Sequence, residues 1–420
     1  MDLKALRRLK PELESFLDRY APLFGRSEAQ AHARRFVQGL LLGGERRSVE
    51  NIAEAIDGCV VRSLQTFITN APWQGNAVLA ELRRQVADEW GDPDAVLTAD
   101  ETGFPKKGKL SVGVKKQYSG TLGRTDNCQV GVFLGYHAPK GHTLVDRRLF
   151  LPEEWAADGP RREKARVPEG AVFRTKPELA LEMVGDAAAA GLPFRWVTAD
   201  SVYGVSPVFC QGVRALGKWY VLDSSSDARV WTTEPEVIPA GTKPPGKGRP
   251  TVNPKPATKP ERVADVAAAL PADAWRRVTV AEGSQGPRVF DYAELAVWFS
   301  EDGLPGGPER LLVRRSLGQE PEWKYHRTNA PPAVPLRTLA EVRAKRWSIE
   351  RDFANAKGEC GLDEYETRGW VGWHHHTALS VLALWFLARQ RDRAGGENPR
   401  ADRPRGAGRP RVPARRAGVG

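Results

Sequence analysis

Hydrophobic residues recur at helical spacing through the first ninety positions of the chain. The clearest run comprises Leu3, Leu6, Leu13, Phe16, Leu17 and Tyr20. Ser27 is suited to cap the helical run EAQAHARRFVQGLLL that follows it. Because residues three and four apart share one face of a helix, this pattern predicts an all-helical N-terminal domain over residues 1–90.

The pattern changes to short β-like runs from Asp94 onward. Four such runs are separated by Gly, Pro and Asn residues: AVLTAD, KLSVGVKKQYSG, CQVGVFLGYHA and HTLVDRRLFL. They predict an antiparallel meander. Helix-like and strand-like runs then alternate, as PELALEMVGDAAAAGL, FRWVTAD, SPVFCQGVRALG and KWYVLD. A meander followed by α/β alternation predicts an α/β fold with a ribonuclease-H-like mixed sheet.

A β-rich segment interrupts this alternation over residues 231–334. It contains a basic Pro-rich loop, the helix-like run ERVADVAAAL, and four β-like runs, RRVTVAEG, RVFDYAELAVWFS, ERLLVRRS and EWKYHR. Helical periodicity resumes at LRTLAEVRAKRWSIERDFANAK and continues to about Gln390. We therefore predict an insertion over 231–334 within a fold formed by residues 91–230 and 335–390, and a basic disordered tail over 391–420.

The net charge of +11 is concentrated in two Pro- and Gly-rich segments. Residues 391–420 carry nine arginines against three acids, and residues 239–260 carry four lysines and one arginine with no acid. These segments account for the whole excess, so the remainder of the chain is balanced. Mobile basic arms are suited to hold a polyanion, and the same composition is also typical of solvated linkers. The charge pattern alone leaves both interpretations open.

Several classes of protein are disfavoured by motif and composition. The four cysteines form no CxxC pair and lie far apart, at Cys59, Cys128, Cys210 and Cys360. This spacing argues against a zinc knuckle and a disulfide framework. The apolar run Thr377–Ala388 is shorter than a membrane span and predicts a core helix. No Gly-rich phosphate motif opens a helix, so we expect no nucleotide cofactor, and no export signal is recognisable, so we expect a cytoplasmic protein.

Two aspartates stand in the same local setting. Asp100 ends the run AVLTAD, Asp200 ends FRWVTAD, and a turn-like segment follows each. Side chains just past the ends of neighbouring strands converge on one crevice, where two carboxylates can share a divalent cation. An aspartate at such a position can also simply cap the following turn.

A polar stripe follows one face of the predicted C-terminal helix. At 100° per residue, Glu350 lies 40° and Lys357 lies 20° from Arg346, so the three side chains can face one ligand. Val342, Ile349 and Phe353 form an apolar seam beside that stripe, and this seam should dock the helix on the sheet. The stripe can complete a metal site and grip phosphates, or it can be a solvated face with an i,i+4 ion pair.

The order DETG, TADSVYG and RWSIERDFANAK resembles the catalytic domain of DDE transposases from bacterial insertion sequences, particularly those with a β-rich insertion before the Glu. In that family the Glu helix carries a Tyr, then an Arg, a Glu and a Lys at fixed spacing. This chain has Arg346, Glu350 and Lys357 at the last three positions and Arg343 at the Tyr position. The resemblance spans residues 35–390, which leaves the basic tail outside it.

The resemblance implies a metal-dependent DNA enzyme. Asp100, Asp200 and Glu350 would be the catalytic residues and would hold two Mg²⁺ ions, with Mn²⁺ able to substitute. The implied phosphate contacts are Arg346 and Lys357, together with Lys106 and Lys107, which could also belong to a solvated turn. Tyr203 could stack on a sugar or base, or could be partly buried packing. The implied partners are double-stranded DNA, as terminal inverted repeats and target, and a second copy of the chain on paired ends. Such an enzyme would act in the bacterial cytoplasm, at the nucleoid.

Two alternative functions stay open at the level of the sequence. The first is a domesticated, non-catalytic DNA-binding protein descended from a transposase, which the presence of Asp100, Asp200 and Glu350 disfavours. The second is a metal-dependent junction or RNA nuclease of the same fold. The long insertion and the spacing of Arg346, Glu350 and Lys357 disfavour that second alternative.

Overall fold

The computed structural model of this chain describes residues 3–42, 44, 46–120, 123–242, 251–283 and 286–394. The N-terminal helices are α1 (Leu3–Asp18), α2 (Ser27–Leu42), α3 (Val49–Ala55), α4 (Val61–Thr69) and α5 (Gly75–Trp90). The helical periodicity of this region is confirmed. Within the described ranges, no helix combines the length and the apolar character needed to cross a membrane.

The strands of the central region follow the predicted order. They are β1 (Val96–Pro105), β2 (Lys115–Ser119), β3 (Arg124–Ala138), β4 (Gly141–Leu149), β5 (Trp196–Ala199) and β6 (Trp219–Ser224). The predicted antiparallel pairing of β1 to β4 is confirmed, because β3 pairs antiparallel with β1, β2 and β4. The predicted meander order is wrong, since β1 lies beside β3 and β2 lies on the other side of β3. The later strands are β7 (Arg229–Trp231), β8 (Val237–Ile238), β9 (Lys255–Pro256), β10 (Glu261–Arg262), β11 (Arg276–Gly283), β12 (Gly286–Glu301), β13 (Leu304–Arg315) and β14 (Trp323–Thr328).

The remaining helices lie between the strands in sequence or after the last strand. They are α6 (Glu153–Ala157), α7 (Gly159–Ala165), α8 (Lys176–Ala189), α9 (Ser201–Gly204), α10 (Pro207–Ala215), α11 (Val263–Ala268), α12 (Leu336–Ala344), α13 (Trp347–Cys360) and α14 (Trp370–Arg393). A capping box formed by Thr175 and Glu178 starts α8. The run Thr377–Ala388 lies in α14 and is buried along its whole length, so the predicted core helix is confirmed.

One large mixed sheet organises the molecule. Within the described ranges, ten strands follow the order β10-β7-β12-β13-β14-β6-β5-β1-β3-β2, with β11 beside β12 and β4 beside β3. Strands β1, β5 and β6 are mutually parallel, whereas β1 with β3 and β6 with β14 are antiparallel. The strands of the predicted insertion therefore extend the central sheet through the β6–β14 pairing.

The N-terminal helices and the sheet share a hydrophobic core around α14. The ring of Phe386 lies 5.3 Å from that of Phe16 in α1, and Trp385 packs edge-on against Trp90 of α5 at 4.7 Å. Both rings of α14 are buried. Because α14 contacts the N-terminal helices on one side and β4 on the other, it fastens the two regions together.

Two local boundaries differ from the predictions. Strand β1 continues beyond Asp100 to Pro105, because its pairing with β3 continues after the parallel partner β5 ends at Ala199. The predicted single helix after the insertion is divided into α12 and α13 by a turn at Lys345 and Arg346. In this turn the N–H of Ser348 donates to the carbonyl of Lys345, three residues back, as in a 3₁₀ turn.

Candidate active site

Three aspartates occupy equivalent positions on three neighbouring parallel strands. In the sheet register, Ala99 of β1 lies opposite Ala199 of β5, and Ala199 lies opposite Leu222 of β6. The residues that follow these three are Asp100, Asp200 and Asp223. Because parallel strands direct their carboxyl ends to one edge of a sheet, the three carboxylates form a row at that edge.

Both carboxylate oxygens of Asp100 accept hydrogen bonds. The backbone N–H of Glu101 donates to Oδ1 at 2.8 Å, and Nη1 of Arg346 donates to Oδ2 at 2.9 Å. Burial raises the pKa of Asp100 to about 7; Arg346 opposes this shift, and the negative charges of Asp200 and Glu101 add to it. Because of this raised pKa, a further cation beside Asp100 would favour its ionised form.

Asp200 has the capping role considered for it from the sequence. Its Oδ1 accepts a hydrogen bond from the backbone N–H of Val202 at 2.9 Å, so it caps the short helix α9. It also lies close enough to Asp100 for its charge to raise the pKa of that residue. Burial raises the pKa of Asp200 itself, and the charge of Glu101 adds to this.

Asp223 was not selected from the sequence, although it ends KWYVLD just as Asp100 ends AVLTAD. Nδ1 of His326 lies 2.8 Å from its Oδ1, and Arg343 donates to both oxygens, at 3.2 Å and 3.1 Å. Burial favours a higher pKa for Asp223, but the hydrogen bond from His326 and the charges of Arg343 and Arg346 hold it well below its ordinary value. Asp223 is therefore a stable anion.

Arg346 lies at the centre of the site. Its guanidinium is 2.9 Å from Asp100, 3.5 Å from Asp223 and 3.7 Å from Glu350, measured between the nearest nitrogen and oxygen atoms. It precedes the first residue of α13 and keeps helical backbone angles. The turn between α12 and α13 therefore preserves the spacing that places Glu350 one turn beyond Arg346.

Glu350 faces the row of aspartates from α13. Its side chain is 57% exposed, and the structure connects it to the row through Arg346. The apolar seam beside it is buried as predicted, because Val342, Ile349 and Phe353 pack into the core. This seam fixes which face of α13 points toward the site.

Lys357 lies farther along the same helix. Its ammonium donates to Oγ1 of Thr102 at 2.8 Å and to the carbonyl of Gly103 at 3.4 Å. Both partners belong to β1, just beyond Asp100. The stripe of Arg346, Glu350 and Lys357 therefore follows β1 along the edge of the site.

Tyr203 is placed differently from the expectation that it contacts DNA. Its side chain is 0% exposed, and its hydroxyl donates to Glu101 at 2.7 Å. The other carboxylate oxygen of Glu101 pairs with Lys176 at 2.7 Å. Because its ring is completely buried, Tyr203 has no face available for a base or a sugar. It instead holds Glu101 beside the row of aspartates.

The two lysines expected to contact DNA differ in exposure. Lys107 is exposed, whereas Lys106 packs on the ring of Tyr365, with 3.6 Å between its ammonium and the ring centroid. Burial lowers the pKa of Lys106 to about 8. Lys107 is therefore the better placed of the two to meet a phosphate.

The carboxylate oxygens of the site suit a hard divalent cation, but in this structure Arg346 is paired with the carboxylates of Asp100 and Glu350. Within the described ranges, no three His, Cys, Asp or Glu side chains are grouped so that they could hold a metal ion. Arg346 supplies the positive charge between the carboxylates instead. Carboxylate oxygens are ligands that Mg²⁺ and Mn²⁺ prefer. Burial raises the pKa of Asp100, and the nearby charges of Asp200 and Glu101 add to that shift. The residues fit a metal provided that Arg346 leaves Asp100.

Two segments with sequence predictions lie partly outside the described residues. The basic Pro-rich loop includes residues 243–250, and the basic tail includes residues 395–420, all of which lie outside the described ranges.

Comparison with known protein families assigns the class. A family described as DDE superfamily endonuclease matches residues 19–287 of this chain. The chain belongs to this family. The matched region includes Asp100, Asp200 and Asp223 and ends before Glu350.

The chain is also similar to an individual named protein. Over 170 residues, the chain is 34% identical to the probable transposase for insertion sequence element IS701 of Microchaete diplosiphon. This match covers 39% of the present chain and 40% of the relative. The chain is therefore similar to that protein across less than half the length of each.

Proposed function

We propose that this chain is an insertion-sequence transposase that cleaves DNA at terminal inverted repeats and joins the released ends to target DNA. The observation that carries the proposal is the row of Asp100 and Asp200 on adjacent parallel strands, faced by Glu350 from α13 through Arg346. Its membership in the DDE endonucleases and its similarity to a probable transposase support the same function.

The proposed architecture follows from this function. Residues 91–230 and 335–390 form a ribonuclease-H-like nuclease, and residues 231–334 form the insertion that precedes Glu350. Residues 1–90 form the helical region that we assign to DNA binding. The parallel β1, β5 and β6 with helices on their faces support this assignment, because that arrangement brings the carboxylates to one edge.

The carboxylates would hold the metal, and the neighbouring cations would hold the substrate. Two Mg²⁺ ions bound by Asp100, Asp200 and Glu350 would supply activation of water or a 3′-hydroxyl and stabilisation of the leaving oxygen. Lys357 and Arg346 would orient the phosphates on either side of the scissile bond, and Lys107 would contact the backbone from the loop after β1. Mn²⁺ would substitute for Mg²⁺.

The substrate and the assembly are part of the proposal. The enzyme would act on double-stranded DNA as a homodimer on paired ends, in the bacterial cytoplasm. Since inverted repeats present the same sequence twice, a two-fold symmetric dimer matches their geometry.

The test uses the purified full-length chain with Mg²⁺ and a duplex that carries the sequence flanking its own gene. We expect cuts at the boundary of the inverted repeat and joining of the released ends to a supercoiled target plasmid. The control duplex has the same composition in scrambled order and should stay uncut at that position. Specific binding to the repeat without any cutting, with paired ends supplied, would instead identify a non-catalytic DNA-binding descendant.

A further inference from the structure

One cation serves two carboxylates that lie on different strands of the site. Nη1 of Arg346 is 2.9 Å from Oδ2 of Asp100 on β1, and its Nε is 3.5 Å from Oδ2 of Asp223 on β6. Both carboxylates are largely buried, at 15% and 18% side-chain exposure, and Arg346 is 17% exposed. Asp200 lies on β5, between these two strands. Arg346 therefore bridges the two outer members of the row.

Asp223 is fixed from two sides. Arg343 of α12 contacts both of its oxygens, at 3.2 Å and 3.1 Å. The imidazole of His326, on β14 of the insertion, lies 2.8 Å from Oδ1, and the sheet register places His326 directly opposite Asp223. With these contacts and Arg346, both oxygens of Asp223 are engaged by donors among the described residues. Asp223 thus binds cationic side chains of the protein itself, those of Arg343 and Arg346.

We propose that Asp223 is a positioning residue that retains Arg346 when a divalent cation takes Asp100. This inference rests on the proposed function, because it assigns Asp223 a part in loading the metal site. The predicted insertion contributes His326 to this arrangement, and α12 contributes Arg343.

The geometry explains why such an anchor is needed. Oδ1 of Asp100 accepts from a backbone N–H and Oδ2 accepts from Arg346, so a metal ion at Oδ2 competes with the guanidinium for the same oxygen. A buried guanidinium without a counter-ion is strongly unfavourable. Asp223 already lies 3.5 Å from the same guanidinium and needs only a small movement to accept it. The exchange of partners keeps Arg346 near the site, where it can meet a phosphate.

The test measures Mn²⁺ binding to the full-length protein without DNA, by isothermal titration calorimetry and by the electron paramagnetic resonance of free Mn²⁺. Asp223→Asn keeps the shape and one acceptor oxygen of the side chain but removes its charge. The ion pair between Arg346 and Asp100 should then become stronger. We expect Mn²⁺ to bind about tenfold more weakly, equivalent to about 1.4 kcal/mol. Asp227→Asn is the matched control, since Asp227 is exposed, pairs with Arg262 and should leave the affinity unchanged.

A double-mutant cycle separates positioning from simple loss of negative charge. In an Arg346→Gln background there is no guanidinium to displace, so adding Asp223→Asn should change Mn²⁺ affinity by less than about twofold. An equal tenfold loss in both backgrounds would show that Asp223 acts as a ligand or through its field, and the proposal would be overturned. Unchanged affinity of Asp223→Asn in both backgrounds would overturn it equally.

Arg343→Gln provides a second variant in case Asp223→Asn does not fold, and it should change the Mn²⁺ affinity in the opposite direction. It leaves Asp223 with one cation fewer, so Asp223 should draw Arg346 more strongly and Mn²⁺ should bind more tightly. Weaker binding would contradict the proposal. A wild-type protein that binds no Mn²⁺ at millimolar concentration would refute the proposed metal centre as well. A wild-type protein that binds Mn²⁺ without coupling between Asp223 and Arg346 would refute the positioning role alone.

Discussion

The acidity of Asp100 is a property of its surroundings. Burial in the site raises its pKa to about 7 from an ordinary value near 4, even though Arg346 pairs with it. In the folded protein, protonation is therefore favoured over a range of pH in which the unfolded chain is ionised. The stability that this preference for the protonated form contributes is fully present below the pKa of Asp100 in the unfolded chain. It is lost as the pH rises toward the pKa of Asp100 in the folded protein.

We predict that Asp100→Asn stabilises the metal-free protein at alkaline pH. In EDTA at pH 8, the variant should exceed the wild type by roughly 1–3 kcal/mol in free energy of unfolding, because it removes a buried charge. The difference should shrink toward pH 4, where wild-type Asp100 is protonated in the folded state. Calorimetric melting across this range measures it. A constant difference from pH 4 to pH 8 would show that the pKa of Asp100 is not raised.

Single residues were predictable where a local pattern marks them. The acid at the end of an apolar run selected Asp100 and Asp200, and the helical wheel correctly placed Arg346 beside Glu350. The same signal is present at Asp223, yet its importance depends on Arg343 and His326, which are distant in the chain. The burial of Tyr203 likewise arises from tertiary contacts that spacing cannot reveal.

At the scale of elements, α9 connects two of the aspartates. It begins at the cap formed by Asp200, and its last residue, Gly204, lies against the carbonyl oxygen of Asp223. A Cβ at Gly204 would lie 2.0 Å from that oxygen, which is too close for a side chain of any kind. The carbonyl of Gly204 also accepts a hydrogen bond from the buried Arg327 at 3.1 Å. The position of α9 therefore requires glycine.

We predict that Gly204→Ala destabilises the protein by roughly 1–3 kcal/mol, because α9 and β6 must separate to admit the methyl group. Nuclease activity should fall with stability, since α9 carries the cap at Asp200. Gly185→Ala is the control: Gly185 lies inside α8 with open space around it, so the variant should gain about 0.5–1 kcal/mol. Denaturant unfolding measures both. Equal stability of the two variants would contradict the packing described for α9.

Element types were more predictable than their boundaries and partners. Hydrophobic periodicity located the strands β1 to β6 and β11 to β14. The break at Lys345 and Arg346 was missed, because the residues there have ordinary helical propensity and the turn keeps helical backbone angles. The pairing of β14 with β6 joins the predicted insertion to the rest of the sheet. It involves residues about a hundred positions apart and has no local signal.

On the scale of the whole molecule, a buried charge cluster joins the N-terminal helices to the sheet. Asp146 of β4 is 2% exposed and pairs with Arg83 of α5 and with Arg148, each at 2.8 Å. The neighbouring Arg147 is completely buried and donates to Asn76 near the start of α5 and to the carbonyl of His374 in α14. These contacts bring together three elements that lie far apart in the sequence.

We predict that Asp146→Ala costs about 3–5 kcal/mol of stability, because it leaves the buried Arg83 without its counter-ion. Asp88→Ala is the control, since Asp88 is 64% exposed and pairs with Arg19 on the surface. That variant should change the free energy of unfolding by less than about 1 kcal/mol. Guanidinium unfolding of both variants makes the comparison. A small effect of Asp146→Ala would mean that the two regions do not depend on this cluster.

The overall class could be predicted because the order of the motifs and the hydrophobic periodicity pointed to the same fold. DETG, TADSVYG and RWSIERDFANAK indicated a DDE enzyme, and the family match confirms this class. The shared core around α14 could not be predicted, since the N-terminal helices give the same periodicity whether they stand alone or pack on the sheet. The charge excess lies in two segments that are only partly within the described ranges, so its role stays a prediction.

The central claim is that Glu350 acts with Asp100 and Asp200 in one metal-dependent nuclease centre. It is tested most directly by Mg²⁺-dependent cleavage of the flanking-sequence duplex by the wild type, Glu350→Gln and Glu359→Gln. Glu359 lies nine residues beyond Glu350 on α13 and so points to the opposite side of the helix. We predict that Glu350→Gln lowers the cleavage rate by about a hundredfold or more while DNA binding persists, and that Glu359→Gln cleaves like the wild type. Wild-type cleavage by Glu350→Gln would contradict the account.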